Sequence, residues 1–220
     1  MNISFSLQGL PTGKFIGREE QLREIEQHLQ PTVLNEKSRR SVFVIRGPGG
    51  MGKTKLAAQY ARLHQDEYSA IFWTDGSTRD SLKQSFLKIA KEIPTVQLQA
   101  SIVAMLESAE VDVNVVMQGV LQWLSLPKNR KWLLIIDNID REFKEPGRDE
   151  LGFDPQDAMP SSDQGSTLIT SRLWSVKGNG NDLNLGQVNE IEAEEILVHH
   201  AERQLEGYSL LPMPIVSSVR

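Results

Sequence analysis

Cysteine is absent from the 220 residues of the chain. This absence excludes disulfides, thiolate metal sites and a cysteine nucleophile, and it fits a reducing compartment. Also missing are a run of about 20 apolar residues, which a membrane-spanning helix needs, and the basic start and apolar core of a signal peptide. These absences predict a soluble, cytoplasmic protein with no membrane partner.

An excess of basic residues is missing as well. The chain has 24 lysine and arginine residues against 29 aspartate and glutamate residues, which gives a net charge of −5. Proteins that coat nucleic acids neutralise phosphates with clustered Lys and Arg, so we predict no nucleic-acid partner. The remaining composition is close to the globular average and favours neither a disordered nor a fibrous chain. The length suits one α/β domain with short flanking segments.

Short apolar blocks alternate with amphipathic stretches along the chain. The apolar blocks predict strands at 41–45, 69–74, 131–136, 166–170 and, less regularly, 182–188. Helical spacing of apolar residues predicts helices at 18–29, 53–65, 78–93 and 191–205, with one or two more between 99 and 126. The polar stretch 141–164 has no predicted element. Strands that alternate with helices predict an α/β fold: a doubly wound, mostly parallel five-stranded sheet with helices on both faces.

A glycine-rich loop follows the first predicted strand and precedes a predicted helix. It matches the phosphate-loop pattern GxxxxGK[ST] and consists of Gly47, Pro48, Gly49, Gly50, Met51, Gly52, Lys53 and Thr54. Glycines let backbone N–H groups converge on an anion, and the start of the helix adds its positive end. The lysine can reach the outer phosphates, and the threonine offers a hydroxyl to Mg²⁺. We therefore predict a P-loop NTPase fold that binds ATP or ADP with Mg²⁺.

Three polar residues follow predicted strands at the carboxyl edge of the sheet. Asp137 can hold Mg²⁺ through its water shell, or it is a plain turn residue. Asn138 stands beside it, where many P-loop ATPases carry the acid that orients or deprotonates the attacking water. An amide cannot accept that proton, so slow hydrolysis is predicted unless Asp140 substitutes. Arg172 either senses the terminal phosphate by bidentate hydrogen bonds or is a solvated surface residue.

Other polar and aromatic residues are assigned to the structure rather than to chemistry. The histidines show no metal-binding spacing and are predicted to be structural; they are His28, His64, His199 and His200. Large aromatics inside strands are more often core than ligand platforms, so Trp73 and Trp132 are predicted to be core residues.

Five blocks, in order, resemble the NB-ARC branch of the STAND ATPases. This is the regulatory switch domain of plant resistance proteins, apoptotic scaffolds and fungal receptor-like proteins. The blocks read FIGRE at 15–19, the Walker A loop at 46–54, AIFWTD at 70–75, LLIIDNID at 133–140 and GSTLITSR at 165–172. The resemblance implies an NB-ARC-type domain over 14–206. Residues 1–13 would be a flanking segment, and 207–220 a tail that holds the truncated start of a helical ARC subdomain.

The resemblance also implies roles for individual residues. Phe15, Ile16 and Arg18 would lie over adenine and ribose, and Arg172 would sense phosphate. The choice of adenine over guanine comes from the resemblance alone. The implied function is a cytoplasmic, NLR-like signal-transduction switch of the kind used in innate immunity, with ADP in a closed form and ATP in an assembling one. Self-association or signalling proteins would be its partners.

Two other functions fit the same residues. One is a P-loop ATPase or kinase that turns over repeatedly. The other is a truncated, degenerate nucleotide-binding module that acts as an interaction surface.

Overall fold

The computed structural model describes residues 15–29, 40–142, 152–177 and 181–209, without the side chains of residues 200 and 202–209. The predicted segment 1–13, the boundary at Lys14 and residues 210–220 of the predicted tail lie outside these ranges. The same holds for the side chain of His200. The division into 1–13, 14–206 and 207–220 therefore stays a prediction.

Within the described ranges, five parallel strands form one sheet. They are β1 (Ser41–Arg46), β2 (Ala70–Asp75), β3 (Trp132–Ile139), β4 (Ser166–Ser171) and β5 (Asp182–Asn184), and their order across the sheet is β2-β3-β4-β1-β5. Each pairing between neighbours is parallel. Apolar and β-branched residues fill the three central strands, as expected for a sheet that is covered on both faces.

Six α-helices connect or flank the strands in the described part of the chain. They are α1 (Glu19–Leu29), α2 (Lys53–Leu63), α3 (Arg79–Glu92), α4 (Ala100–Glu107), α5 (Val113–Leu124) and α6 (Glu190–Ser209). Side chains cap three of them: Thr78 accepts from the N–H of Ser81 at the start of α3, Asp112 accepts from the first turn of α5, and Asn189 accepts from the N–H of Glu192 at the start of α6. No helix in the described ranges is long and apolar enough to cross a bilayer.

The two faces of the sheet carry separate apolar clusters. Alternate residues of β1 point to opposite sides: Val42 and Val44 pack in a cluster with α3, α4 and α5, whereas Phe43 and Ile45 pack in a cluster with α1 and α2. Trp132 is buried in the first cluster, as predicted, and its indole N–H donates to the carbonyl of Leu124. Trp73 is only partly buried and lies beside the second cluster. The predicted α/β class with helices on both faces is confirmed.

Several boundaries differ from the prediction. β5 is shorter than 182–188, because only 182–184 pair with β1 before the chain turns toward α6. β3 is longer than 131–136 and runs to Ile139, with a register shift against β4 between Ile136 and Ile139. In the stretch predicted as a loop, the described part contains a 3₁₀ helix at Pro155–Ala158 and buries three apolar residues, Phe153, Ala158 and Met159.

Candidate nucleotide-binding site

The phosphate loop lies between the end of β1 and the start of α2. Gly50 and Gly52 have φ angles of 80° and 90°, which residues with a side chain rarely adopt. Gly52 is also the N-cap of α2, and no side chain of the described residues caps this helix. The N–H groups of the first helical turn are therefore left for a ligand, and the positive end of the helix faces the loop.

Lys53 is folded back onto the loop. Its Nζ donates to the carbonyl oxygens of Gly47 over 2.7 Å and of Pro48 over 2.9 Å. Burial lowers the pKa of Lys53, while the charge of Asp140 raises it and that of Arg172 lowers it. These contacts hold the ammonium group at the inner side of the loop, where the phosphate-loop pattern requires it.

Two threonines converge on one carboxylate behind the loop. Thr54 Oγ1 donates to Asp137 Oδ1 over 3.0 Å, and the hydroxyl of Thr170 donates to the same oxygen. Burial raises the pKa of Asp137, and the hydrogen bonds from Thr170 and Thr54 oppose that rise. The structure thus brings together the two residues predicted to share Mg²⁺.

Asn138 stands next to this group in an unusual backbone conformation. Its φ is 71°, a left-handed value that Asn tolerates better than most residues. Its main-chain N–H donates to Thr170 Oγ1 over 2.9 Å. Asn138 lies within the register shift between β3 and β4, which falls between Ile136 and Ile139. Asn138 is one of the residues that line the cavity in front of the loop.

Arg172 is paired with Asp140. The main-chain N–H of Arg172 donates to Asp140 Oδ1 over 2.8 Å, and Nε lies 2.8 Å from Asp140 Oδ2. The guanidinium carbon is 3.2 Å from the position that a Cβ on Gly49 would take. The side chain is 59% exposed, but it is not an unpartnered surface arginine. It lies against the phosphate loop, where the prediction of a phosphate sensor needs it.

One cavity of about 830 Å³ collects most of the predicted residues. Its lining contains Phe15, Ile16, Arg18, Gly49, Gly50, Met51, Gly52, Lys53, Thr54, Asn138 and Arg172. Three predicted residues are not among the lining residues: Gly47 and Pro48 contact Lys53 through their carbonyls, and Asp137 contacts Thr54. The structure therefore gathers the sequence-predicted set at one place, at the carboxyl edge of the sheet.

The far wall of this cavity was missed by the sequence analysis. It is formed by Leu185, Gln187 and Val188 from the loop after β5 and by three residues of α6, which are Ala193, Ile196 and His199. These three are spaced three residues apart, so they share one face of the helix, and that spacing is the signal the sequence contained. His199, predicted as purely structural, is thus a wall residue of the cavity.

The other described histidines contact their neighbours. His28 Nδ1 lies 2.8 Å from the carbonyl oxygen of Glu24, and His64 Nδ1 lies 2.9 Å from Glu67 Oε1. Among the residues that the structure describes, no group of three or more His, Cys, Asp or Glu side chains could hold a metal ion. Mg²⁺ needs no such cage, because it is commonly held by one or two protein oxygens together with phosphates and water.

A phosphate loop between a parallel strand and a helix, with a threonine and a strand-end aspartate behind it, defines a P-loop NTPase. The sequence pattern of the family described as "AAA ATPase domain" matches residues 14–158, and the chain belongs to this family. Members bind nucleotide, usually with Mg²⁺. Both statements fit the cavity described above.

Two further comparisons agree. A protein of Hyaloscypha variabilis (strain UAMH 11265 / GT02V1 / F), described as "Nucleotide-binding leucine-rich repeat (NLR)-like protein", is 29% identical over 180 residues, or 77% of this chain. The chain covers only 17% of that relative's length. The predicted resemblance to an NB-ARC/STAND-like P-loop ATPase is thereby confirmed.

The crystal structure of Cdc6p from Pyrobaculum aerophilum superposes with a TM-score of 0.56 at 12% identity, over 89% of this chain and 52% of that one. At this identity the likeness concerns the fold alone. It confirms the α/β P-loop fold.

Proposed function

We propose that the chain is an ATP- and ADP-binding switch domain that uses Mg²⁺ and hydrolyses ATP slowly. The observation that carries the proposal is that Lys53 and Thr54 line one end of a ligand-sized cavity and that Thr54 donates to Asp137 behind it, while none of the described residues that line the cavity is acidic. The first half of this observation supports nucleotide binding, and the second supports slow hydrolysis.

The described residues fit a magnesium nucleotide. A cavity of about 830 Å³ lies within the size range of small-molecule sites. One end offers backbone N–H groups and the Lys53 ammonium for phosphates, and the hydroxyl of Thr54 and the carboxylate of Asp137 supply the hard oxygens that Mg²⁺ prefers. The other end is apolar, with Phe15 and Ile196 among its lining residues, and suits a base and ribose.

Slow hydrolysis follows from the surroundings of Asp137. A general base must reach the proton that it removes. Asn138 lines the cavity but cannot accept a proton there. Asp140, the alternative base, is not among the described lining residues, and both of its carboxylate oxygens face Arg172. Among the residues that the structure describes, no carboxylate therefore lines the cavity where it could activate a water molecule next to the phosphates.

The switching half of the proposal rests on Arg172 and on the NLR-like relative. Arg172 lies against Gly49 of the phosphate loop and is held by Asp140. A terminal phosphate would compete with Asp140 for the guanidinium, and a diphosphate would not, so the two nucleotides would favour different arrangements. The relative's name supports a signalling role. A cytoplasmic location and signalling-protein partners or self-association belong to the same proposal.

A phosphate-release assay tests the proposal directly. We expect the purified chain to bind Mg-ATP and to release about one phosphate per molecule in the first turnover, with a steady-state rate well below the typical median of about 10 per second for enzymes. Lys53→Ala should abolish binding, whereas Lys88→Ala, an exposed residue on α3, should leave it intact.

The other outcomes of this assay separate the two remaining functions. Sustained turnover at a rate typical of enzymes would identify a working ATPase or kinase and overturn the switch. If the wild-type chain bound neither ATP nor ADP, the remaining function would be that of a degenerate module that acts as an interaction surface.

A further inference from the structure

The apolar end of the cavity has two walls that come from distant parts of the sequence. Residues 15–18 form one wall, and the loop after β5 with the first turns of α6 forms the other. Two hydrogen bonds join the walls. The main-chain N–H of Arg18 donates to Glu192 Oε1 over 2.7 Å, and Arg18 Nη2 donates to the carbonyl oxygen of Gly186 over 2.6 Å. The Arg18 side chain, predicted to lie over the nucleoside, thus also binds the opposite wall.

The carboxylate of Glu192 also caps the start of α6. Its Oε2 accepts from the N–H of Asn189 over 3.2 Å, and Asn189 Oδ1 accepts from the N–H of Glu192 over 2.8 Å. This reciprocal pair is a capping box. A single carboxylate therefore fixes both the first turn of α6 and the main chain of Arg18. The position of residues 15–18 depends on where α6 begins.

The backbone of residues 17 and 18 needs this support. Arg18 has a φ of 68°, which a residue with a side chain adopts only when its surroundings hold it there, and it is only 8% exposed. Gly17 has a φ of 74°, and a Cβ on it would lie 2.8 Å from Glu192 Oε1. A side chain at position 17 would push the carboxylate away from Arg18. The absence of a side chain there lets Glu192 reach the main chain.

We infer that Glu192 is a positioning residue that controls how long the site retains nucleotide. Its carboxylate holds residues 15–18 against α6, and a rearrangement at the start of α6 would release this wall and open the nucleoside end. Glu192 does not line the cavity, so it acts through Arg18 rather than on the ligand. The inference rests on the proposed nucleotide binding. It makes α6 the element through which a partner, or the chain beyond the helix, could change nucleotide exchange.

The test measures release of a fluorescent analogue, mant-ADP, from the Mg²⁺-loaded protein after a chase with excess ADP. Glu192→Ala should release the probe about tenfold faster or more, because a hydrogen bond to a charged group is typically worth that factor. Asn189→Ala weakens the cap of α6 but leaves the carboxylate facing Arg18, so its release rate should stay within about twofold of wild type. Glu194→Gln, exposed on the same helix, should change nothing.

Hydrogen exchange of the nucleotide-free protein gives a second readout that needs no ligand. The amide of Arg18 should exchange about tenfold faster or more in Glu192→Ala and in Gly17→Ala, and near the wild-type rate in Asn189→Ala. Glu192→Asp serves if the alanine variant does not fold. Its carboxylate keeps the charge at the helix start but is one methylene too short to reach Arg18, so it should behave as the alanine variant does.

Three outcomes are decisive. An unchanged release rate in a folded Glu192→Ala protein overturns the inference. Equal acceleration in Asn189→Ala and Glu192→Ala also overturns it, since helix capping would then explain the effect. Failure of the wild-type chain to bind mant-ADP overturns the proposed function. In that case hydrogen exchange of the Arg18 amide still tests whether Glu192 holds residues 15–18. An exchange rate equal to that of the wild type in both Glu192 variants overturns the contact itself.

Discussion

The two ends of the cavity are built in different ways. At the phosphate end, eight consecutive residues, 47–54, supply the loop, the lysine and the first hydroxyl. At the nucleoside end, residues 15–18 meet the loop after β5 and α6, and the partners of one contact stand 174 positions apart in the sequence. The loop of the phosphate end is determined by local backbone geometry, whereas the walls of the nucleoside end are joined by contacts between distant segments. Substitutions in α6 should therefore alter binding of the nucleotide's base and the rate of nucleotide exchange, but leave phosphate binding largely intact.

The largest effect that we expect is faster ATP hydrolysis after one carboxylate is introduced at the phosphate end. Asn138→Asp places an acid beside Asp137 on the cavity wall, and Asp tolerates the φ of 71° as Asn does. The rate of ATP hydrolysis in a single turnover should rise by roughly 100-fold, the lower range for a general base. Phosphate formation with the protein in excess over Mg-ATP measures this rate.

Asn114→Asp, which adds the same charge at an exposed site on α5, serves as the control for that variant. It should leave the rate unchanged. If Asn138→Asp hydrolyses no faster than the wild-type chain, a missing base does not limit the reaction, and the account of this end is wrong.

The next effect concerns the metal. Asp137→Asn keeps an oxygen that can accept from Thr54 and Thr170 but removes the charge that would attract Mg²⁺. In the wild-type chain Mg²⁺ should strengthen ADP binding. In the variant, the affinity for ADP in the presence of Mg²⁺ should be roughly 30-fold lower, a loss of about 2 kcal/mol. Calorimetric titrations with Mg²⁺ and with a chelator measure the difference.

The exposed Asp80 at the start of α3 provides the matched variant, Asp80→Asn, which should bind as the wild type does. If Asp137→Asn lost as much ADP affinity in the titrations with chelator as in those with Mg²⁺, Asp137 would support the loop itself and not the metal.

The smallest effect belongs to the nucleoside end. Ile196→Ala removes part of the apolar wall and should weaken ADP binding roughly fivefold, about 1 kcal/mol, without changing the response to Mg²⁺. Leu197→Ala is a strict control, because Leu197 is the next residue of the same helix and is 70% exposed. If the two variants bound ADP with equal affinity, α6 would not form part of the nucleotide-binding wall.

The two ends of the cavity also differ in how far they can be predicted from the sequence. Strands were predictable because their residues are apolar on both faces, and the loop because each of its positions has a backbone or charge requirement. Asp137 and Arg172 were predictable because parallel strands bring their carboxyl ends to one edge. The wall formed by α6 was not, since Ala193, Ile196 and His199 show only a helical spacing that many buried or exposed helices share.

Pairing between distant residues was beyond the reach of local patterns. Asp140 was the alternative base that would overturn slow hydrolysis, and the structure pairs it with Arg172. Arg18 was predicted as a nucleoside contact, and its side chain also binds Gly186. The early end of β5 has a similar origin, because the strand stops where its pairing partner β1 stops and the phosphate loop begins.

The most direct measurement is the nucleotide content of the purified chain and of its Lys53→Ala variant, determined by chromatography after denaturation. The account predicts close to one ADP or ATP per wild-type molecule and none from the variant, because the site binds tightly and turns over slowly. Wild-type protein that is empty, and that shows no thermal stabilisation with Mg-ATP or Mg-ADP at concentrations where a binding protein would gain several kcal/mol, would contradict it.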